Sequence, residues 1–136
     1  MIHLNKEDFI RVKPSKLGGV GLFAVRNISK NTEIEIWDET ANDKFYSYGS
    51  VKGIKKQMCE LICVATKKGY WCPSSFTNMS IGWLINHSSN PNLKERKIRK
   101  KWSHYTMRDI KKDEEITLNY QTLDKNINNI NFHVRR

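Results

Sequence analysis

Three short segments of the chain carry residue types that could do chemistry. The first is LGGVGLFA at residues 17–24. Its glycines permit positive φ and let the backbone approach a ligand closely. An ordinary tight turn uses the same residues, and the third glycine of a dinucleotide-binding loop does not follow at the needed spacing. Alone, this segment indicates a turn that could hold a ligand.

The second segment is WLINHSSNPN at residues 83–92, where an apolar run ends abruptly in polar residues. Asn86 and His87 stand side by side at this edge. Buried polar side chains need hydrogen-bond partners, and a heteroaromatic ligand would supply them. A loop whose exit is fixed by Pro91, with a histidine satisfied inside the core, would have the same pattern.

The third segment is RDIKKDEEITLNY at residues 108–120. A polar turn leads into a strand of alternating apolar residues that ends at Tyr120. By itself this pattern predicts a hairpin whose last tyrosine packs in the core.

The elements that would position these segments are mostly short strands. Alternating apolar residues predict strands, and apolar residues three and four apart predict helices. A hairpin with Gly69 in its turn is expected between them. The predicted strands are Phe9–Val12, Leu22–Val25, Glu33–Trp37, His104–Arg108 and Ile116–Tyr120, and the predicted helices are Val51–Ile62 and Met79–Ile85. The predicted fold class is mainly β.

Length and composition predict one domain. The chain has 136 residues, of which 38% are hydrophobic, enough for a core that folds without metals or disulfides. We expect a single domain over residues 1–136, with its core at about 9–120 and a short tail at 121–136. No run approaches the roughly 20 apolar residues of a membrane span, and the N-terminus lacks a signal-like run, which predicts an intracellular protein without membrane contact.

The cysteines and the charge of the chain bear on its metals, its disulfides and its partners. Cys59, Cys63 and Cys72 include no C-x-x-C pair, which predicts buried free thiols and neither a disulfide framework nor a metal site. The formal net charge is +10, and six of the eight residues at 94–101 (KERKIRKK) are basic. Such a surface attracts polyanions, so nucleic-acid contact through 94–101 and a solvated face both remain open. Aromatic residues do not alternate with the basic ones, which argues against a dedicated single-strand reader.

Together the three segments resemble the SET domain family, whose pattern is a glycine-rich GxG-F-A, then NHS-x-x-PN, then RDI-x-x-GEE-ϕ-T-x-x-Y. All three blocks occur here in that order and frame residues 14–120. The short form is most similar to the compact viral and bacterial members. The resemblance implies a SET-domain (β-clip) fold of short strands with small helices and a C-terminal pseudoknot, in which the last strand passes close to Asn86.

The resemblance also implies a protein-lysine N-methyltransferase that uses S-adenosylmethionine. Tyr120 would be the catalytic tyrosine, where the cofactor pocket meets the lysine channel. A second channel tyrosine usually comes from the middle of the domain; Tyr70 is the first candidate, followed by Tyr46 and Tyr48. The implied cofactor-binding residues are Gly19, Val20, Gly21, Asn86, His87 and Tyr120.

Several residues depart from the family pattern. Ser89 replaces a frequent cysteine, Asp113 a turn glycine and Asn119 a common aspartate. No cysteine follows Tyr120, so we expect no zinc-bound cap. Phe132 or a second subunit would then complete the lysine channel, which leaves a homodimer open.

Three functions remain open from the sequence: a methyltransferase for a histone, a methyltransferase for another basic protein such as a ribosomal one, and a SET-fold docking module that binds nucleic acid or nucleoprotein with little or no catalysis. Cationic substrates and a chain of charge +10 repel each other unless acidic residues line the groove. The expected location is nucleus or chromatin for a eukaryotic or viral protein and cytoplasm for a bacterial one. The acidic residues that could attract a basic substrate are Glu33, Glu35, Asp38, Glu39 and Asp43.

Overall fold

Short strands make up most of the regular structure. The computed structural model describes residues 3–5, 9–36, 44–76, 79–98 and 101–120. Within these ranges the mainly β fold class is confirmed, with one α-helix, α1 (Gly53–Ile62), and two 3-10 helices, Tyr48–Ser50 and Ile81–Leu84. The strands are β1 (His3–Asn5), β2 (Ile10–Pro14), β3 (Val20–Ala24), β4 (Glu33–Glu35), β5 (Lys44–Ser47), β6 (Val64–Ala65), β7 (Gly69–Cys72), β8 (Asn86–His87), β9 (Leu93–Ile98), β10 (Lys101–Thr106) and β11 (Glu115–Leu118).

The described residues divide into two compact units. The first holds those within 1–36 and 84–122, and the second holds those within 37–83. The first contains two four-stranded sheets, in the orders β1-β4-β10-β9 and β2-β3-β11-β8, and the second contains the three-stranded sheet β5-β7-β6. The expectation of one domain over residues 1–136 stays a prediction. None of the helices in these ranges has the length and apolar character needed to cross a bilayer.

Strand β11 is an inner strand of its sheet in the first unit. It pairs antiparallel with β3 and parallel with β8, where Thr117 lies opposite Asn86. Ile116, Thr117 and Leu118 are buried in succession, so both faces of the strand are covered. The predicted close passage of the last strand beside Asn86 is confirmed.

The same strand ends at Leu118, two residues before the predicted end at Tyr120. The reason lies in the next hydrogen bonds. The backbone N–H of Tyr120 donates to Nδ1 of His87, 3.1 Å away, and not to a neighbouring strand. The tyrosine is therefore held by a side chain from β8.

Strand β9 occupies most of the basic run at 94–101, where no strand was predicted. It pairs antiparallel with β10. Lys94 and Arg96 are exposed, whereas Glu95 turns inward and its carboxylate lies 3.4 Å from Nε2 of the buried His104. The inward and outward alternation of a strand is present, but charged residues carry it, so hydrophobicity does not reveal it.

Helix α1 confirms the predicted helix in the second unit. It begins at Gly53, whose φ is 60°, so the glycine supplies a left-handed start and does not weaken the helix interior. Within the helix Cys59 is buried, while Ile54 and Leu61 are exposed. The apolar stripe that predicted the helix therefore enters the core only in part.

The predicted hairpin in the second unit is also confirmed, although Gly69, expected in its turn, is the first residue of β7. Strands β6 and β7 pair antiparallel, and the N–H of Thr66 donates to the carbonyl of Gly69 at 2.8 Å. The predicted short helix at 79–85 is the 3-10 helix Ile81–Leu84.

The turn before β11 contains a strained residue. Asp113 has a φ of 70°, in the left-handed region that glycine adopts most easily, and its N–H donates to the carbonyl of Ala24 at 2.8 Å. The family pattern has a glycine at this position, which agrees with the backbone geometry.

Replacing Asp113 by glycine should raise the free energy of unfolding by about 1 kcal/mol, because glycine has no Cβ to clash at positive φ. Asp113→Ala should lower it, because alanine keeps the Cβ and loses the polar side chain that eases this conformation. Thermal unfolding of the three proteins measures both changes. A melting temperature of Asp113→Gly below that of the parent would contradict the assignment of strain.

Glu114 is held by several donors beside this turn. Its carboxylate lies 2.6 Å from Nη1 of Arg108 and accepts hydrogen bonds from the N–H of Lys111 and from Nδ2 of Asn92, both at 3.1 Å. Burial alone would raise the pKa of Glu114, but these donors outweigh it and hold the pKa below its ordinary value. The charged form of Glu114 is therefore favoured in the folded state.

Glu114→Gln should cost stability at neutral pH and progressively less in acid. A carboxyl whose pKa is lower in the folded state stabilises the fold above its unfolded pKa, and this contribution is lost as the pH falls through the folded pKa. In urea unfolding, the difference in the free energy of unfolding between parent and variant should become smaller as the pH falls below about 4.3. The exposed pair Lys56–Glu60 provides the control, because Glu60→Gln should change stability little at any pH. A Glu114→Gln gap that did not depend on pH would contradict this role.

Candidate active site

The three segments singled out in the sequence meet at one carboxylate in the first unit. Glu115, the first residue of β11, accepts a hydrogen bond from Oγ of Ser15 at 2.6 Å and from Nδ2 of Asn86 at 2.8 Å. The same Asn86 amide donates to the carbonyl of Val20 at 2.9 Å. We call Ser15, Gly21, Asn86 and Glu115 the polar junction.

Gly21 is required in the polar junction for space. A Cβ on Gly21 would lie 2.8 Å from Nδ2 of Asn86 and closer still to the Glu115 carboxylate. No ordinary Cβ contact is that short, so any side chain would push the two polar groups apart. The close neighbours of Gly21 in the structure are thus two protein side chains, and its approach to a ligand stays a prediction.

The other glycines of the 17–24 segment form an open turn. Gly18 and Gly19 have φ of 115° and 57°, and the N–H of Ser15 donates to the carbonyl of Gly19 at 2.9 Å. An added Cβ at either glycine would meet nothing within 4 Å. The backbone of this turn is thus accessible from outside, which fits a ligand that binds along main-chain atoms.

Asn86 is buried, and the protein itself supplies partners for its amide. We expected a heteroaromatic ligand to satisfy it, whereas both of its donor bonds run to Val20 and Glu115. Asn86 therefore has a structural role. It joins the turn around Gly18 and Gly19, which we call the glycine turn together with Val20, to β11.

His87 and Tyr120 form a second contact of the site. Nδ1 of His87 accepts the Tyr120 N–H, and the two ring centroids lie 5.2 Å apart. A neutral His87 that accepts at Nδ1 carries its proton on Nε2. The buried Tyr120 donates its hydroxyl proton to the carbonyl of Ile85. Because the Tyr120 hydroxyl proton is used in this hydrogen bond, the phenol oxygen can interact with a further polar group only as a hydrogen-bond acceptor.

Three residues of the site were not assigned a role from the sequence: Ser15, Asn92 and Glu115. Asn92 is buried; its Oδ1 accepts the Thr117 N–H at 2.9 Å and its Nδ2 donates to the Glu115 carbonyl at 2.7 Å. It fastens the second segment to β11. Asn92 and Glu115 lie inside the quoted motifs, and that is the only signal the sequence offers for them.

The tyrosines predicted for the lysine channel lie together in the second unit. Tyr70 on β7 is opposite Tyr46 on β5, and the ring of Tyr48 meets Tyr70 edge-on at 4.9 Å. Tyr70 is buried, and burial raises its pKa, as it does for Tyr48. Both phenols therefore stay protonated at physiological pH. The choice of Tyr70 as a catalytic residue stays a prediction.

Some predicted residues lie outside the described ones. These are Phe132 and three members of the acidic group, Asp38, Glu39 and Asp43. The other two members, Glu33 and Glu35, belong to β4 in the first unit, where Glu35 is exposed.

Comparisons with known proteins identify the family of this chain. A family model of the SET domain matches residues 19–121, and the chain therefore belongs to the SET domain family. The methyltransferase domain of human PR domain-containing protein 2 is a structural neighbour with 18% identity and a TM-score of 0.52, over 85% of this chain and 79% of that chain. This likeness supports the fold.

A second neighbour is a Plasmodium falciparum protein proposed to be a histone methyltransferase. It is 26% identical, with a TM-score of 0.48, over 85% of this chain and 95% of that chain. A search of curated proteins found no match.

Gly21→Ala should lower the free energy of unfolding by about 1–3 kcal/mol, because the new methyl group must displace the Asn86 amide or the Glu115 carboxylate. Gly49→Ala is the matched control, since a Cβ there meets nothing within 4 Å. Urea unfolding followed by tryptophan fluorescence measures both. Equal effects of the two substitutions would contradict the crowding at Gly21.

Proposed function

We propose that this chain is an S-adenosylmethionine-dependent protein-lysine N-methyltransferase whose substrate is a histone or another basic protein. The observation that carries the proposal is the meeting of the glycine turn, Asn86 and β11 at the polar junction, with Tyr120 held against His87 just after the same strand. Membership of the SET domain family supports it.

The accessible backbone of the glycine turn and the charge beside it suit the proposed cofactor. Its backbone at Gly18 and Gly19 is open to the outside, and the Glu115 carboxylate places a negative charge beside the turn. A cationic ligand is favoured next to such a charge. S-adenosylmethionine, when bound, supplies a methyl group activated by its positively charged sulfur. The residues proposed to hold it are Gly19, Val20, Gly21, Asn86, His87 and Tyr120.

The task left to the protein is to present an uncharged amine. A free lysine has a pKa of about 10.4, and desolvation beside aromatic rings disfavours its charged form. Tyr120 suits this role because it is buried and offers an acceptor oxygen, its proton being donated to the Ile85 carbonyl. Tyr70 is retained as the proposed second tyrosine of the lysine channel.

The charge of the chain bears on the class of substrate. A chain of net charge +10 needs local acidic residues to attract a basic protein. Glu33 and Glu35 of β4 are the described members of the acidic group. A histone and another basic protein, such as a ribosomal one, would use the same attraction, and a location in the nucleus, on chromatin or in the cytoplasm follows the substrate.

A docking module without catalysis is the alternative. Its basic surface is partly engaged within the protein, because the guanidinium of Arg96 lies 5.0 Å from the ring centroid of Tyr105. Nucleic-acid contact through 94–101 and a homodimer stay predictions.

Tyr120→Phe should lower the rate of methyl transfer about a hundredfold and leave the Kd for S-adenosylmethionine nearly unchanged, because the hydroxyl acts on the amine and not on the cofactor. Calorimetry measures the cofactor Kd, and mass spectrometry of core histones and ribosomal proteins incubated with labelled cofactor measures transfer. Tyr105→Phe removes another buried tyrosine hydroxyl of the same unit and should preserve both quantities.

Two results separate the possible failures. An unchanged rate in Tyr120→Phe would refute the role of that hydroxyl while leaving the enzyme intact. If the parent protein gave no calorimetric signal with S-adenosylmethionine, the methyltransferase proposal would fail and the docking module would stand.

A further inference from the structure

The three cysteines of the chain lie close together in the second unit, although their sequence contains no C-x-x-C pair. Cys59 and Cys63 lie one turn apart at the C-terminal end of α1, and Cys72 ends β7. Their sulfur atoms all lie within 4.8 Å of one another, and Sγ of Cys59 is 3.5 Å from Sγ of Cys72. All three are fully buried.

These thiols make up half of one buried cluster. Among the residues that the structure describes, the cluster consists of Val51, Cys59, Cys63, Ala65, Tyr70 and Cys72, with Tyr46 and Phe76 packed against it. Cysteine can serve as a small apolar residue, but three cysteines among six residues leave little other apolar surface in the cluster, and small cores are commonly stabilised by a metal or disulfides. The composition of the core therefore suits a bound ion.

The spacing also suits a metal. Zinc binds thiolate sulfur at about 2.3 Å, and tetrahedral angles at that length put two sulfur atoms about 3.8 Å apart. The three sulfur atoms are already within 4.8 Å of one another, so movements of less than about 1 Å bring them to this spacing. The C-x-x-C criterion applied to the sequence misses such a set, because its ligands come from a helix turn and a hairpin strand.

A reactive or redox cysteine is less well supported. Burial, followed by the hydrogen bond to Cys72, raises the pKa of Cys59 to about 11. The hydrogen bond to Cys72, followed by burial, also raises the pKa of Cys63. Thiols of this kind hold little of the thiolate that attacks or is oxidised at neutral pH, whereas a metal ion displaces the thiol protons directly.

We propose that Cys59, Cys63 and Cys72 form a buried three-thiolate site for a divalent cation of the zinc class. On binding, three S–H bonds break, three sulfur–metal bonds form and three protons pass to solvent, with no change of oxidation state. Water or an added ligand completes the tetrahedron. The ammonium of Lys55, which attracts negative charge at Cys59 and lies 3.9 Å from the Tyr46 ring centroid, offsets part of the resulting negative charge.

The site would stiffen the part of the second unit that contains Tyr70. Tyr70 and Cys72 are two positions apart on β7 and both are buried in the same cluster. The proposal does not depend on methyltransferase activity, since the ion would act on the core alone.

The test uses the full, reduced, metal-free chain titrated with Co²⁺ and with Zn²⁺. We expect one equivalent to bind, a sulfur-to-cobalt charge-transfer band to appear, about three protons to be released per Zn²⁺, and the melting temperature to rise. Cys63→Ser should weaken Zn²⁺ binding at least about tenfold and remove most of the band. Val51→Ala is the matched control, because it weakens the same buried cluster without removing a sulfur ligand, and it should keep the band.

The measurement on the parent protein remains decisive even if Cys63→Ser fails to fold. Binding of Co²⁺ without the charge-transfer band, or Zn²⁺ binding without proton release, would overturn the proposal, because ions held by surface oxygen or imidazole ligands give that result. Equal Zn²⁺ affinity in a folded Cys63→Ser variant would overturn it as well.

Discussion

The arrangement of the first unit depends on the hydrogen bonding of one carboxylate. The two oxygens of Glu115 accept from Ser15 and Asn86, which are 100 and 29 residues away in the chain. Hydrogen bonds to a charged acceptor are stronger than neutral ones, and leaving such an acceptor without donors is costly. The segments that supply the donors must therefore converge on the first residue of β11, and Gly21 leaves the room in which they do so.

From this point one strand organises the candidate site. Strand β11 runs from Glu115 beside the glycine turn, past its parallel neighbour β8, and leads to Tyr120, whose N–H is fixed by His87. The residues proposed to hold the cofactor lie on the two neighbours of β11, on β8 and at the start of β3, and the tyrosine proposed to receive the amine follows β11 itself. Precise positioning of reacting groups is what methyl transfer from an activated donor requires, and a short strand covered on both faces provides it.

The sequence was informative where a residue's role is local. The strand leading towards Tyr120, helix α1 and the hairpin near Gly69 follow from periodicity and turn residues, which depend on near neighbours, whereas the order of the three motifs was informative through the resemblance to the SET family. Strand β9 was not predicted, because charged residues, and not apolar ones, alternate between its two faces. The roles of Ser15 and Asn92 were not predicted, because the fold, and not spacing in the chain, determines their hydrogen-bond partners. The clustering of the cysteines was hidden for the same reason.

The proposed function requires that the glycine turn, the Asn86 segment and the end of β11 form one cofactor site. A crystal structure of the chain with S-adenosylhomocysteine, the product of the proposed reaction, tests it most directly. We expect this ligand to contact the backbone at Gly19, Val20 and Gly21 and to lie beside Asn86 and His87, with its sulfur directed towards Tyr120. A ligand bound elsewhere on the chain, with the polar junction unchanged and untouched, would contradict it.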